Sequence, residues 1–194
     1  MDDIIEKIDF DEVEKKEKKG FAVFLDYLII ILAAFCLGIV ISKFVAVRSV
    51  VDGDSMNNTL QDHDNLIVEK VSYYFHEPER FDIIVFELKD EPGVHYIKRI
   101  IGLPGDTVQI KHGKVFINQE ELTEDVYGNA VIENGGNASL PITVGEDEYF
   151  VLGDNRNDSS DSRFNKVGLV KKNQFLGKAV FRFFPFNKIK VLKK

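Results

Sequence analysis

Lys98 is the first candidate for chemistry in this chain, because it lies within an otherwise apolar stretch, Tyr96–Asp106 (YIKRIIGLPGD). The stretch indicates a buried strand that ends in a Pro-Gly-Asp turn. In a strand, Lys98 and Arg99 point to opposite faces, so one of the two cations faces inward. Burial favours the neutral form of an amine, and a neutral amine is a base. The spacing alone does not decide which of the two cations faces a site.

Ser55 is a candidate nucleophile. It follows a strand-like stretch at a chain reversal that contains Gly53, a residue that permits a tight turn. Such a turn can present a hydroxyl and a backbone N–H to one point, which is what acyl transfer requires. The alternative is that Ser55 only caps a short helical turn. On this stretch alone, capping is the simpler interpretation.

The segment Gly153–Arg163 (GDNRNDSSDSR) is crowded with Asp, Asn and Ser. Such side chains bond to nearby backbone groups and hold a loop in one shape. A solvated loop and a cation site are the alternatives. A calcium loop is excluded, because Arg156 stands at the third ligand position, Ser159 replaces the glycine at the sixth, and Asn165 replaces the glutamate at the twelfth.

Other features of composition narrow the class of protein. The net charge of −7 argues against nucleic acid as the main partner. A single cysteine, Cys36, makes an intramolecular disulfide impossible. The four histidines lack the spacing of metal ligands: they are His63, His76, His95 and His112. A Ser-His-Asp triad that uses His95 is an alternative, but nothing in the sequence favours it over chance.

The element that precedes these candidates is an apolar segment, Phe21–Ser42, which is 22 residues long and contains one charge, Asp26. At about 1.5 Å per residue, a helix of this length crosses a hydrocarbon core of about 30 Å. A cleaved signal sequence would have a shorter apolar region and a small-x-small site after it, and a buried core helix would be shorter. We therefore predict a retained transmembrane anchor after a charged tail, residues 1–20.

Lysines flank this segment unequally. Lys43 and Arg48 follow it closely, whereas five lysines precede it: Lys7, Lys15, Lys16, Lys18 and Lys19. The positive-inside rule then predicts a cytoplasmic N-terminus and an extracytoplasmic domain of residues 43–194.

The rest of the chain is strand-like. Short β-branched runs are separated by turn residues, and no helical period is longer than a turn or two. We expect a mainly β fold, in which an antiparallel, barrel-like sheet carries a small inserted ribbon, residues 107–148. The predicted strands are Phe44–Val51, Asn65–Val71, Phe81–Leu88, a hairpin over Thr107–Ile117 that turns at His112-Gly113, Tyr149–Leu152 and Gly177–Phe184.

These stretches together resemble the type I signal peptidases, the membrane-bound Ser–Lys proteases of protein export, and in particular their Gram-positive branch. The family pattern Ser-Met-x-Pro-Thr-Leu is Ser55–Leu60 here, with Asn58 in place of proline. The pattern Arg-Gly-Asp-Ile-Val-Val-Phe is Arg80–Phe86, with Phe81 in place of glycine. The two remaining blocks match in family order at Tyr96–Asp106 and Gly153–Arg163.

The resemblance implies roles for these residues. Ser55 would be the nucleophile and Lys98 the general base, with Ser159 orienting the lysine amine by a hydrogen bond. The Ser55 backbone N–H would form part of the oxyanion hole. Some family members place a serine in that hole at the position of Gly53, so the second donor here must be a backbone group or absent.

Further roles concern support and specificity. Asp161 would hold the last loop by pairing with Arg163 or Arg99, and Arg99 would lie opposite Lys98, against the acidic loop or in solvent. Shallow pockets for small side chains would be lined by Met56, Leu60, Val85, Tyr96 and Ile97, whose alternative role is core packing.

The implied function is that of a membrane-anchored serine endopeptidase. It would remove signal peptides from exported precursor proteins after a small-x-small site, through an acyl-enzyme, with no metal or organic cofactor. The expected partners are the precursors and the lipid bilayer, at the cell membrane. The alternatives are a self-cleaving repressor-type protease and a catalytically impaired β-domain that acts as a binding module.

Overall fold

The computed structural model describes residues 22–41, 45–128 and 130–192. Contacts divide the chain into two compact units, one that ends before Val45 and one that begins there. The predicted tail, residues 1–20, lies outside the described residues.

The first unit contains the helix α1, Ala22–Val40, whose residues are all exposed. Its length and apolar composition are sufficient to cross a membrane. Cys36 lies on this helix with its side chain exposed. The structure thus contains the helix that the apolar segment predicts.

The second unit is built from short strands and one short helix, α2, Ser72–Phe75. Its strands are β1 (Ala46–Val50), β2 (Asn65–Glu69), β3 (Ile83–Glu87), β4 (His95–Gly102), β5 (Thr107–Lys111), β6 (Lys114–Ile117), β7 (Glu120–Glu121), β8 (Ile142–Thr143), β9 (Glu148–Leu152), β10 (Val170–Lys171), β11 (Phe175–Phe184) and β12 (Lys190–Val191).

The strands form two antiparallel sheets. The larger has the order β1-β2-β11-β3-β4-β9-β10, with β12 paired to β11, and the smaller has the order β7-β6-β5-β8. The prediction of a mainly β, antiparallel fold is confirmed. Within the described residues no pairing joins β1 to β10, so the larger sheet is open and the expected barrel does not close.

The long strand β11 is irregular, and this irregularity bends the open sheet. The register of β11 shifts between Phe175 and Gly177 where it pairs with β3, and at two places where it pairs with β2. Such bulges bend a strand and increase its twist. The sheet therefore curls, and β1 lies across a cleft from β4 although three strands separate them in the sheet order.

The smaller sheet shows which local signals the sequence carries. The hairpin β5–β6 turns at His112 and Gly113, as predicted, and both residues have positive φ, as a two-residue hairpin turn requires. The later part of the predicted ribbon, residues 123–148, adds the two-residue strand β8, which pairs with β5. The predicted elements do not include α2, β7, β8, β10 or β12, which are too short to have a recognisable period.

The strand β4 lies in the interior of the larger sheet, between β3 and β9. Ile100 and Ile101 are fully buried on its two faces, in two different core clusters. The strand ends at Gly102, where a methyl group would lie 2.6 Å from Val108 Cγ2 and 2.9 Å from Phe150 Cβ. Close packing at Gly102 therefore joins the two sheets.

We expect Gly102→Ala to lower the free energy of unfolding by about 1–3 kcal/mol, because the added methyl group overpacks this contact. Thermal unfolding of the full chain in detergent measures the change. Gly145→Ala is the matched control, since its methyl group would meet only the carboxylate end of Glu148. Equal melting temperatures for the two variants would contradict the packing argument.

Candidate active site

Lys98 and Ser55 meet in the second unit, 43 positions apart in the chain. The Lys98 Nζ donates to Ser55 Oγ at 2.7 Å and to the Ile97 carbonyl oxygen at 2.8 Å. Strand β4 fixes the lysine, and the turn after β1 presents the serine. The two candidates that the sequence singles out are thus in direct contact.

Burial makes Lys98 an unusual lysine. Only 3% of the residue is exposed, and desolvation lowers the pKa of its amine from 10.5 to about 8. The carboxylates of Asp161 and Asp154 act in the opposite direction, because negative charge favours the ammonium form. The Tyr96 ring also lies near the amine, with its centroid 5.0 Å from Nζ. Desolvation is the largest of these effects.

The turn that carries Ser55 is fixed from outside by Asn155. The Asn155 backbone N–H donates to the Ser55 carbonyl oxygen, and its Nδ2 donates to the Asp54 carbonyl oxygen, both at 3.1 Å. Gly153 packs against the same turn, where a methyl group would lie 2.4 Å from the Ser55 carbonyl oxygen. The loop Gly153–Arg163, called the catalytic loop below, therefore holds the nucleophile in place.

The Ser55 backbone N–H is available for an oxyanion, since it has no hydrogen-bond partner within residues 45–128 and 130–192. The Gly53 N–H is engaged, because it donates to Asp62 Oδ1 at 2.9 Å. The Gly53 N–H is therefore not free to serve as a second donor beside the Ser55 N–H.

Arg99 lies on the opposite face of β4 from Lys98 and is fully buried. Its Nε and Nη2 donate to the two oxygens of Asp154 at 2.8 and 2.7 Å, and Nη1 donates to the Phe81 carbonyl oxygen at 2.9 Å. Thr59 joins the pair by donating to Asp154 Oδ2 at 2.5 Å. Two environments are expected for Arg99, the acidic loop and solvent. The structure shows the first, because Arg99 is buried and paired with Asp154 of that loop.

Asp161 pairs with Arg163, one of the two partners expected for it. The Arg163 Nε and Nη2 donate to its two oxygens at 2.7 and 2.8 Å, in a site where both residues are almost fully buried. Asp161 Oδ2 also accepts from the Gly153 N–H at 3.1 Å. Asp161 therefore links its ion pair with Arg163 to Gly153, which packs against Ser55.

The hydrogen bond expected between Ser159 and Lys98 is absent from the structure. The Ser159 Oγ is buried without a partner, and it lies beside Gly153. The lysine uses the Ser55 hydroxyl and the Ile97 carbonyl oxygen instead. The resemblance places Ser159 near the site but does not fix the direction of its hydroxyl.

A cleft of about 650 Å³ opens at the Ser55–Lys98 contact. It runs between residues 49–55, at the end of β1, and residues 94–98, at the start of β4 and just before it. Val85, Tyr96 and Ile97 line it, as expected from the sequence. Met56 and Leu60 do not, because both are buried in a core cluster behind the turn, which is their alternative role.

The two departures from the family pattern both have left-handed backbone. Asn58 has φ = 90° and Phe81 has φ = 73°, a region that disfavours most residues other than glycine. Glycine at position 81 would suit this conformation, whereas proline at position 58 would not. The Phe81 ring compensates by packing against Tyr127, with centroids 5.4 Å apart.

Sequence reasoning missed four residues that support the site: Thr59, Tyr127, Asp154 and Asn155. Asp154 and Asn155 belong to a matched motif block, which was the available signal, but their partners lie far away in the chain. Nothing in the sequence around Tyr127 indicates its contact with Arg99, whose guanidinium carbon lies 3.7 Å from the ring centroid.

Comparisons with known proteins show the family to which the chain is similar. Residues 24–184 match the family described as signal peptidase, peptidase S26. The chain is 39% identical to a signal peptidase I of Bacillus amyloliquefaciens, over 94% of this chain and 98% of that protein. It is 40% identical to signal peptidase I P of Bacillus subtilis subsp. natto, over 93% and 98%. A solved signal peptidase I from Enterococcus faecalis V583 matches 54% of this chain and 98% of that one, at 35% identity and a TM-score of 0.44.

We expect Asn58→Pro to destabilise the protein by more than about 1 kcal/mol, because the proline ring fixes φ near −65°. The substitution also removes the N–H that donates to Asn57 Oδ1 at 2.8 Å. Asn58→Gly keeps the observed φ accessible and serves as the matched control. A melting temperature for Asn58→Pro above that of the parent would show that the turn is built differently.

Proposed function

Because the chain belongs to the signal peptidase family, peptidase S26, and removes signal peptides as a serine peptidase, we propose that Ser55 is its nucleophile and Lys98 its general base. The observation that carries the proposal is the 2.7 Å contact between Lys98 Nζ and Ser55 Oγ. A nucleophile and base within hydrogen-bond reach are the geometric requirement for this chemistry.

The reaction begins when Lys98 is neutral. The amine then accepts the Ser55 proton along the existing hydrogen bond, and Ser55 Oγ attacks the carbonyl carbon of the scissile peptide bond. The oxygen of the tetrahedral intermediate becomes negative, and the Ser55 backbone N–H donates to it.

The lysine then reverses its role. The ammonium gives its proton to the leaving amine, which departs as the new N-terminus of the mature protein, and an ester to Ser55 remains. Water loses a proton to Lys98 and attacks this ester, which releases the signal peptide and restores the serine hydroxyl. This chain's own groups supply every proton transfer.

The substrate lies extended in the cleft. The edge of β1 is the end of its sheet and borders the cleft, so it offers backbone groups to an added strand. Val85, Tyr96 and Ile97 narrow the cleft and favour small side chains, consistent with cleavage after a small-x-small motif such as Ala-x-Ala.

The proposed site of this chemistry is the cell membrane. Helix α1 is long and apolar enough to span a bilayer once, and by the positive-inside rule the lysines that precede it favour a cytoplasmic N-terminus and an extracytoplasmic second unit. Precursors reach the enzyme from the same bilayer, because their signal peptides are themselves apolar. The alternative of an impaired binding module is not favoured, since relatives named as signal peptidases match nearly the whole chain.

Ser55→Ala and Lys98→Ala should each reduce the turnover of a precursor by about a thousandfold or more, because each removes one half of a unit that acts together. Cleavage by detergent-solubilised full-length enzyme measures this loss. Lys98→Arg should also fail, since a guanidinium group stays protonated.

Ser139→Ala, at an exposed serine outside the cleft, is the control for the serine, and Lys89→Ala, at an exposed lysine, is the control for the base. Near-normal turnover of Ser55→Ala or Lys98→Ala would refute the assignment of the dyad.

The pH dependence should report the ionisation of Lys98, whose pKa is about 8. Below that pH the amine is protonated and cannot accept a proton, so kcat/KM should fall about tenfold for each further unit of acidity. Initial rates between pH 5.5 and pH 9.5, a range of about four units around this pKa, test the sign. A rate independent of pH across this range would exclude a titrating lysine as the base.

A further inference from the structure

We infer that the segment Asp125–Gly128 of the inserted ribbon positions the catalytic loop, with Tyr127 acting through Arg99 and Asp125 acting through Arg156. This segment, called the clamp segment below, touches neither Ser55 nor the cleft. The inference rests on the proposed function, because it concerns the alignment of the proposed nucleophile.

Tyr127 covers the face of Arg99. The guanidinium carbon lies 3.7 Å from the ring centroid, which is the distance of direct stacking. The guanidinium edge is already occupied by Asp154 and the Phe81 carbonyl oxygen. The ring therefore fixes the plane of a buried cation whose in-plane donors are used.

The plane of Arg99 determines where Asp154 lies. Two parallel hydrogen bonds hold the carboxylate in the guanidinium plane, so a tilt of Arg99 would displace Asp154. The next residue, Asn155, donates to the carbonyl oxygens of Ser55 and Asp54, and the preceding residue, Gly153, packs on Ser55. Asp154 lies between these two residues, so a displacement of Asp154 would move the contacts that Gly153 and Asn155 make with Ser55.

Asp125 contacts the catalytic loop on the other side of Asn155, through the side chain of Arg156. Its two oxygens accept from Arg156 Nη1 and Nη2 at 2.6 and 2.8 Å, and both side chains are only 4% exposed. The Arg156 Nε donates to the Gly153 carbonyl oxygen at 3.0 Å. Asp125 and Tyr127 therefore act on residues that flank Asn155, from two positions of one segment.

The contact of Asp125 joins the inserted ribbon to Arg156 of the catalytic loop, and the contact of Tyr127 joins it to Arg99 of β4, which in turn pairs with Asp154 of the loop. Both contacts use directional groups. A segment that only covered the core would bury apolar side chains, whereas this one buries a carboxylate and stacks an aromatic ring on a cation. Buried polar groups of this kind hold their partners in one orientation, because misalignment leaves a buried charge or donor unpaired, at a large cost in free energy. Alignment of Ser55 with Lys98 is the property that depends on this geometry.

The test compares Tyr127→Ala, Tyr127→Phe and Asp125→Asn as full-length enzymes in detergent, with kcat and KM measured on one precursor and the melting temperature of each. Displacement of reacting groups by about 1 Å costs up to about a hundredfold in rate. We therefore expect Tyr127→Ala and Asp125→Asn to lower kcat by about 10- to 100-fold, with KM changed by less than about twofold. Tyr127→Phe keeps the aromatic face and should restore kcat to within about threefold of the parent.

Phe116→Ala is the matched control. The Phe116 ring lies under Lys111 at 4.2 Å on the same inserted ribbon, so its removal deletes a similar ring–cation contact away from the catalytic loop. Its kcat should stay close to that of the parent.

Three results would overturn the inference: an unchanged kcat for Tyr127→Ala, an equal loss for Phe116→Ala, or a loss that disappears when each variant is assayed well below its own melting temperature. The last result would make Tyr127 structural only. Ser55→Ala in the same assay tests the proposed function separately, because cleavage by the parent and none by Ser55→Ala upholds the dyad whatever Tyr127 does.

Discussion

The buried ion pair between Arg99 and Asp154 is the interaction on which the site depends. It joins strand β4 to the catalytic loop, and both residues are fully buried. Breaking such a pair leaves an uncompensated charge in the interior, which is far more costly than losing an exposed salt bridge. The pair therefore sets the distance between β4, which carries Lys98, and the loop that holds Ser55.

The two neighbouring cations on β4, Lys98 and Arg99, lie in different electrostatic environments. Arg99 is paired with the carboxylate of Asp154, whereas the Lys98 amine is buried beside a hydroxyl and a backbone carbonyl, and burial lowers its pKa to about 8. The two carboxylates that act to raise the pKa of Lys98, those of Asp161 and Asp154, are each paired with an arginine, which reduces their effect on the amine. Desolvation therefore dominates, and the site obtains a base near neutral pH.

Local signals in the sequence predicted much of this structure, and long-range register accounts for the rest. The hairpin at His112-Gly113 and the apolar helix follow from neighbouring residues alone, and motif positions were sufficient to predict the contact between Ser55 and Lys98. The pairing of Arg99 with Asp154 depends on how β4 and β9 align, so no local pattern contains it. Met56 and the hydroxyl of Ser159 were misplaced because a motif gives a position in the chain and not the direction of a side chain.

The open edge of β1 has a consequence for solubility as well as for catalysis. A strand edge that accepts an extended substrate also accepts an extended segment of any other chain, including a second copy of this one. An enzyme of this design cannot cover that edge permanently, so it depends on charged residues to discourage self-association. Arg48 on β1 and the exposed Asp52 and Asp54 just beyond it are suited to this purpose, because extended stacks of identical strands would bring like charges together.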